Sequence, residues 1–559
     1  MTELNIVRRL MQRAEFLGVG GEVALEMGGR RVTYEELYCE VRCAEVRFRE
    51  LGVVPGDRVA IQLPKSLQLV FFHLGALLHG AAVVPVNDRA TVAETAFLLN
   101  DSGAVALVTD RVRWAASGGS PVGAQRAFEP PRWVLIVDGD QVTLAEGGGS
   151  GSSGSRGDGT RTRGCTKSCV PGAALICYTS GTTGKPKGAM ITHENLVVNM
   201  DALHEAWRWR ESDVLLHTLP LFHIHGLLVA LHGALNAGSR TTMLPHFYPR
   251  VVIETLESGA FTLFMGVPTM YHRLVETWQA RGYGGWRREG SSGAATGRRP
   301  PGLASMRLFV SGSAPLPEAL FHRFQRITGH TILERYGMTE TGIIASNPYP
   351  VAERRPGSVG FPLPRMALRV VDREGREAPS GDVGEVQVAG KHVFSGYYGA
   401  PETTAAAFRG EKGTHPSALA EKGTDPSRQR WFTTGDMGFR DPGDSGRLYL
   451  LGRAKELIIS GGFNIYPLEV EARLMEHPGV AEAAVVGLPD SDLGERVAAA
   501  VVPTSDHPPV DGDRLIAFCR EHLAAYKCPR TIELLDALPR NAMGKVQKEV
   551  LCRVLSSCC

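Results

Sequence analysis

Tyr178-Thr-Ser-Gly-Thr-Thr-Gly-Lys-Pro-Lys-Gly188 follows an apolar stretch, Ala173 to Cys177, that reads as a buried strand. Glycines at 181 and 184 permit positive φ and close backbone approach, so that N–H groups can line up on a polyphosphate. The hydroxyls of Thr179, Ser180, Thr182 and Thr183 add donors, and Lys185 and Lys187 add positive charge. The run is not a Walker A loop, because Gly184-Lys185 is followed by Pro186 and the upstream glycine is missing. Alone, it is equally compatible with a Gly/Thr-rich surface turn.

Upstream of this loop, helical and strand patterns alternate. Thr33 and Glu36 have the spacing of a capping box for a helix starting at Tyr34. Strands are expected over Arg58–Leu63, Ala82–Val86 and Ala104–Val108, and helices over Leu67–Leu78 and Val92–Leu99. This alternation predicts a layered α/β domain. After Gly452 the pattern restarts, with strands near Leu457–Ser460, Ala483–Val486 and Ala498–Val502 and helices near Pro467–Glu476 and Arg514–Leu523. The expected organisation is a large α/β domain of β-sheets flanked by helices over 1–452 and a small α+β domain over 453–559. Three low-complexity tracts, 146–164, 281–300 and 411–430, are read as flexible insertions, the last with a near-repeat of Glu411–Ser417 at Glu421–Ser427.

The 559 residues carry a formal net charge of only +2, which gives no global field for nucleic acid. The apolar stretch Leu69–Leu78 is too short to span a bilayer, so no stable membrane insertion is expected. The expected compartment is cytoplasmic. An N-terminal presequence built on Arg8, Arg9 and Arg13 would make it mitochondrial. Ten cysteines in so long a chain do not form a disulfide framework, and Cys165 and Cys169 lack a second pair of metal ligands. The final Cys558-Cys559 has the form of a lipidation site but no polybasic partner.

The loop is one of six motifs in a fixed order. Ser311-Gly312-Ser313-Ala314-Pro315, Tyr336-Gly337-Met338-Thr339-Glu340-Thr341, Thr434-Gly435-Asp436, Gly452-Arg453-Ala454-Lys455 and Pro539-Arg-Asn-Ala-Met-Gly-Lys545 follow it. Together they resemble the signatures of the adenylate-forming superfamily, which includes acyl–CoA synthetases, luciferases and peptide-synthetase adenylation domains. The resemblance implies ATP, coenzyme A and Mg²⁺ as cofactors and a small-molecule carboxylate as substrate. It places Gly312, Ser313 and Ala314 beside adenine, Tyr336 and Gly337 on its face, Asp436 and Arg453 on the ribose, and Thr339 near the phosphates. It makes Glu340 the Mg²⁺ ligand, Lys545 the adenylation lysine and Lys455 the hinge. Ser460-Gly461-Gly462-Phe463 would line the pantetheine tunnel after the small domain rotates.

The chemistry accounts for those residue types. A thiol cannot displace oxide from a carboxylate. Attack of the carboxylate on the α-phosphate of ATP installs AMP as a leaving group, and charge builds on the phosphorus oxygens, where cations stabilise it. No side-chain nucleophile is needed, which fits the absence of a nucleophile elbow.

Leu219-Pro-Leu-Phe-His223-Ile-His225-Gly226 lies where the superfamily shapes its acyl pocket. His223 occupies the position at which amino-acid-activating members place an aspartate, and it is assigned to catalysis. His225, Arg273, Ser313 and Met338 are the expected substrate contacts. Arg273 would give a charge-assisted hydrogen bond to a second carboxylate. Alternatively, His225 is a hydrogen-bonded structural histidine and Arg273 points to solvent. The stretches around 225–226, 266–273, 307–313, 334–341 and 459–467 resemble the malonyl–CoA synthetases, which implies malonate, with methylmalonate second. Oxalate and short monocarboxylates are the rival substrates, and a silent adenylate-binding protein is the rival from another class.

Overall fold

A computed structural model of the chain describes residues 5–117, 131–146, 172–179, 186–283, 299–409, 430–504, 510–541 and 545–557. Tracts 146–164, 281–300 and 411–430 therefore lie almost wholly outside the described residues, as do Ser180–Lys185 and Cys165, Cys169, Cys558 and Cys559.

The described residues form sheets of 14, 8 and 5 strands. The 8-stranded sheet has a parallel core of Arg58–Gln62, Ala82–Pro85, Ala106–Asp110, Trp133–Asp138 and Ala173–Thr179. Helix Tyr34–Glu50 begins with the capping box expected of Thr33 and Glu36. Helix Leu67–His79 is buried on nearly every side, as a helix enclosed by other layers must be. Gly75 lets these two helices meet: a Cβ there would stand 2.6 Å from that of Ala44.

The 14-stranded sheet has an internal parallel run that includes Val214–His217, Leu263–Gly266, Leu308–Ser311 and Ile332–Met338. It turns antiparallel at Gly342–Ser346 and continues to Trp431–Asp441 and Arg447–Arg453. The third sheet contains Ile458–Ser460, Phe463–Ile465, Val480–Asp490 and Gly494–Pro503 and covers a small core of its own. Element boundaries move from those expected by a few residues. The strand near 104 runs from Ala106 to Asp110, and the helix from Val92 reaches Ser102, ending on Gly103 at φ 61°.

Arg409 and Trp431 are register partners across two adjacent strands, so the ends of the third tract already stand at hairpin distance. Replacing 410–430 with Asn-Gly, a two-residue hairpin turn, should leave turnover unchanged. The replacement removes the Arg430 guanidinium, which stands 4.0 Å over the ring of Phe408, an interaction worth about 1 kcal/mol. A melting temperature within about 4 °C of the parent is expected by calorimetry, and a collapse of folding would show the tract to be structural.

Candidate active site

The site lies where the two large sheets and the small one converge. Thr179 and Lys187 are register partners at the ends of adjacent strands, so the stems of the glycine-rich loop are held together; Ser180, Gly181, Thr182, Thr183, Gly184 and Lys185 lie outside the described residues. The Lys187 ammonium sits 5.6 Å over the ring of Tyr397. The Tyr397 hydroxyl donates to Glu340 Oε1 at 3.0 Å.

Glu340 is buried, and desolvation raises its pKa while the Tyr397 bond and the Arg453 charge pull it back. Among the described residues no cluster of three or more acidic, histidine or cysteine side chains could cage a metal ion. A lone carboxylate suits Mg²⁺, which keeps much of its coordination for waters and substrate phosphates. Tyr397, which belongs to none of the six motifs, thus supports the expected metal ligand. Tyr397→Phe removes a hydrogen bond to the charged form of Glu340, so the acidic limb of kcat/KM should move to higher pH. A pH profile unchanged by the substitution would separate Glu340 from the metal.

Tyr336 is the last buried residue of strand Ile332–Met338, and its hydroxyl donates to Asp436. Asp436 and Arg453 are register partners, with Nε 2.9 Å from Oδ1, and Arg453 Nη1 donates to the carbonyl of Thr434 at 3.0 Å. Gly337 is required by space, since a Cβ would lie 2.2 Å from the carbonyl oxygen of Gly342. Met338 packs among the residues around Tyr336, and Thr339 lines a small cavity with Asn199, His232, Gly342 and His392. Lys545 opens onto the same cleft. Lys545 is exposed, yet protein crowds it enough that partial desolvation, then the charge of Arg453, push its pKa down, while Glu456 and Asp436 push it up. These two acids act on Lys545, and Lys545 in turn lowers the pKa of Asp436. The segment that carries it is closed by Lys545 N–H on Asn541 Oδ1 at 3.0 Å and by pairing of Arg540 with Val546.

The expected acyl end contains the turn from His217 to His225, after which the chain enters a π-helix, His225–His232. Such i→i+5 segments are rare and occur mostly at functional sites. The His223 ring packs on Phe222 and its pKa is lowered to about 4 by burial. His225 is 4% exposed, and burial, followed by the Arg335 charge, holds it neutral. Its Nδ1 lies 3.3 Å from Ser313 Oγ, so two of the expected substrate contacts meet. Ser313 sits at φ 71°, an unusual conformation for a residue with a Cβ.

Arg273 is not a buried residue. It is exposed on helix Pro268–Ala280, one turn beyond Met270, which packs against the core at the cleft. The buried cation that acts on His225 is Arg335, 4% exposed, with Nε and Nη2 lacking hydrogen-bond partners and its pKa pushed down to about 9 by burial. Its guanidinium lies over Gly312, where a Cβ would stand 2.4 Å from Cζ. Arg335 is not among the residues nominated from the sequence. Its signal was a charged residue in a strand whose neighbours read as buried.

Lys455 lies in a short turn, Ala454–Glu456, that precedes the small sheet. Ser460 is buried. Gly461 and Gly462 take φ of 57° and 82° in the hairpin between Ile458–Ser460 and Phe463–Ile465, and Phe463 is exposed. Ala314 is exposed at the rim. Among the described residues no helix is long and apolar enough to cross a membrane, and the described cysteines are free thiols.

Residues 16–398 match the AMP-binding enzyme family and residues 469–545 its C-terminal domain. The chain is 33% identical to the mitochondrial malonate–CoA ligase ACSF3 of Homo sapiens over 96% of its own length and 90% of the relative's. It is also 33% identical to a feruloyl-CoA synthase of an Amycolatopsis species, over 94% of both. The crystal structure of ATP-bound MatB from Rhodopseudomonas palustris superposes with a TM-score of 0.80 at 34% identity, over the full length of both chains.

Proposed function

The chain belongs to the AMP-binding enzyme family of adenylate-forming CoA ligases, and on that premise we propose that it joins malonate to coenzyme A, with methylmalonate as a second substrate. ATP and CoA are its co-substrates and Mg²⁺ its metal. One carboxylate oxygen attacks the α-phosphorus, the bond to pyrophosphate breaks, and an acyl-AMP forms. The CoA thiol then adds to the acyl carbonyl and AMP departs.

Lys545 supplies charge to the phosphorus oxygens, and Asp436 with Arg453 holds the ribose; Mg²⁺ bound at Glu340 would neutralise phosphate charge. Lys545 and the Asp436–Arg453 pair act on each other in this arrangement, and Phe463 faces solvent, which suits adenylation rather than thioester formation. Rotation at Lys455 would exchange the two.

The observation that carries the substrate reading is Arg335. A buried guanidinium with unpartnered nitrogens is costly unless an anion completes it. Beside it stand His225 and Ser313, each able to donate to a carboxylate oxygen. A dicarboxylate would place one carboxylate at the phosphate end and the other against Arg335, with exposed Arg273 contributing long-range attraction from the rim. Feruloyl-CoA synthase is as similar in sequence as ACSF3, so a monocarboxylate is the second reading. Pyrophosphate release with ATP, CoA and a panel of malonate, methylmalonate, oxalate, butyrate and ferulate tests the proposal. Preference for butyrate or ferulate would overturn malonate and leave the ligase chemistry intact.

A further inference from the structure

The turn that carries His223 and His225 is braced from the other large sheet. Lys65 lies between strand Arg58–Gln62 and helix Leu67–His79, 152 residues before His217. Its Nζ is 2.7 Å from His217 Nδ1 and 2.7 Å from the His217 carbonyl oxygen. His217 Nε2 is 2.9 Å from the carbonyl oxygen of Gly226.

A carbonyl oxygen only accepts, so the proton of the neutral His217 ring is on Nε2 and is donated to Gly226, and Nδ1 accepts from Lys65. The tautomer of His217 is thereby set, and a continuous donor chain runs from Lys65 to the first turn of the π-helix. Gly226 admits no side chain, because a Cβ would lie 2.1 Å from the carbonyl oxygen of Pro220. The backbone of the turn is thus folded tightly on itself, with His217 at one end fastened to Gly226 at the other. Among the described residues no carboxylate hydrogen-bonds or ion-pairs with Lys65, and both of its hydrogen bonds go to His217.

We infer that Lys65 is a positioning and specificity-determining residue: through His217 it holds the 217–226 turn so that His225 meets the distal carboxylate beside Ser313 and Arg335. This rests on the dicarboxylate reading above.

The test compares Lys65→Met, which keeps the stem and loses the donors, with Lys65→Arg, which can reach both Nδ1 and the carbonyl. Steady-state kcat and KM are measured for malonate and butyrate, with melting temperature as a control. Lys65→Met should lower kcat/KM for malonate about a hundredfold, mainly through KM, the scale of a pocket group displaced by ~1 Å. Butyrate should lose much less, and Lys65→Arg should recover most of the malonate loss. Equal losses for the two acids, no recovery with arginine, or no change in Lys65→Met would each overturn the inference.

Should Lys65→Met fail to fold, His217→Phe against His217→Gln makes the same comparison, since glutamine can still donate to Gly226. Equal malonate-to-butyrate ratios in that pair would then overturn it. An unmodified enzyme that prefers butyrate refutes the dicarboxylate reading. The brace is then read from KM for the preferred acid: a rise in Lys65→Met that arginine reverses supports it, and an unchanged KM overturns it.

Discussion

Lys545→Ala is expected to slow acyl-AMP formation by about two to three orders of magnitude, the loss typical of removing one donor from a developing oxyanion. Thioester formation from synthetic malonyl-AMP and CoA should proceed at nearly the parent rate. The asymmetry follows from position. Lys545 opens onto the cleft that holds Asp436 and Arg453, while the Gly461-Gly462 hairpin lies on another part of the small sheet, with Phe463 exposed. A group that acts in one orientation of the small domain cannot serve the step that needs the other. Partial desolvation and the Arg453 charge lower the pKa of Lys545, so adenylation should weaken as pH rises through that lowered pKa and the ammonium is lost. The two half-reactions are separated by pyrophosphate exchange and by a thioester assay from the pre-made adenylate. Equal loss in both would remove Lys545 from the adenylation role.

Arg335→Met should produce the second large effect. Leaving a buried carboxylate without its cation costs about 3–5 kcal/mol, and about 1.4 kcal/mol is a factor of ten. The expected fall in kcat/KM for malonate is therefore roughly two to three and a half orders of magnitude. Butyrate has no second charge to strand, so its use should hold or improve. The free protein should become more stable, because methionine removes a buried cation whose Nε and Nη2 lack partners. A higher melting temperature with lower malonate activity separates a substrate-binding arginine from a structural one, whose loss would lower both.

Arg273→Ala is the control. Its guanidinium is exposed, so solvent screening should limit the loss to about tenfold or less. Arg335 rather than Arg273 is the buried contact we propose, and a larger loss at 273 than at 335 would reverse that assignment.

Much of the local backbone geometry could be read from the chain alone, because the motifs that set it are short and tied to backbone demands. Gly337 must lack a Cβ for space, and the Gly461-Gly462 hairpin needs two positive φ values. The Thr33–Glu36 capping box is likewise a contact over three residues. Such constraints act between near neighbours and leave a pattern in the order of residues.

The acyl end was only half legible. His225 and Ser313 could be nominated separately, but their 3.3 Å contact joins residues 88 apart. Arg273 stood in a suggestive helix, and only the packing of that helix decided that residue 273 is exposed. Arg335 was hidden for the opposite reason. Side chains alternate along a strand, and which face of Ile332–Met338 meets Gly312 depends on the pairing of Ile332–Met338 with Leu308–Ser311. The π-helix at His225 and the Lys65–His217 brace also lie beyond periodicity, since one is a local departure from the usual i→i+4 ladder and the other links residues on two sheets. By itself the sequence determined the adenylate-forming family, its CoA-ligase chemistry and the α/β class. Tertiary structure decided which charges are desolvated, because burial is a property of packing between distant segments and desolvation sets what a charge can bind.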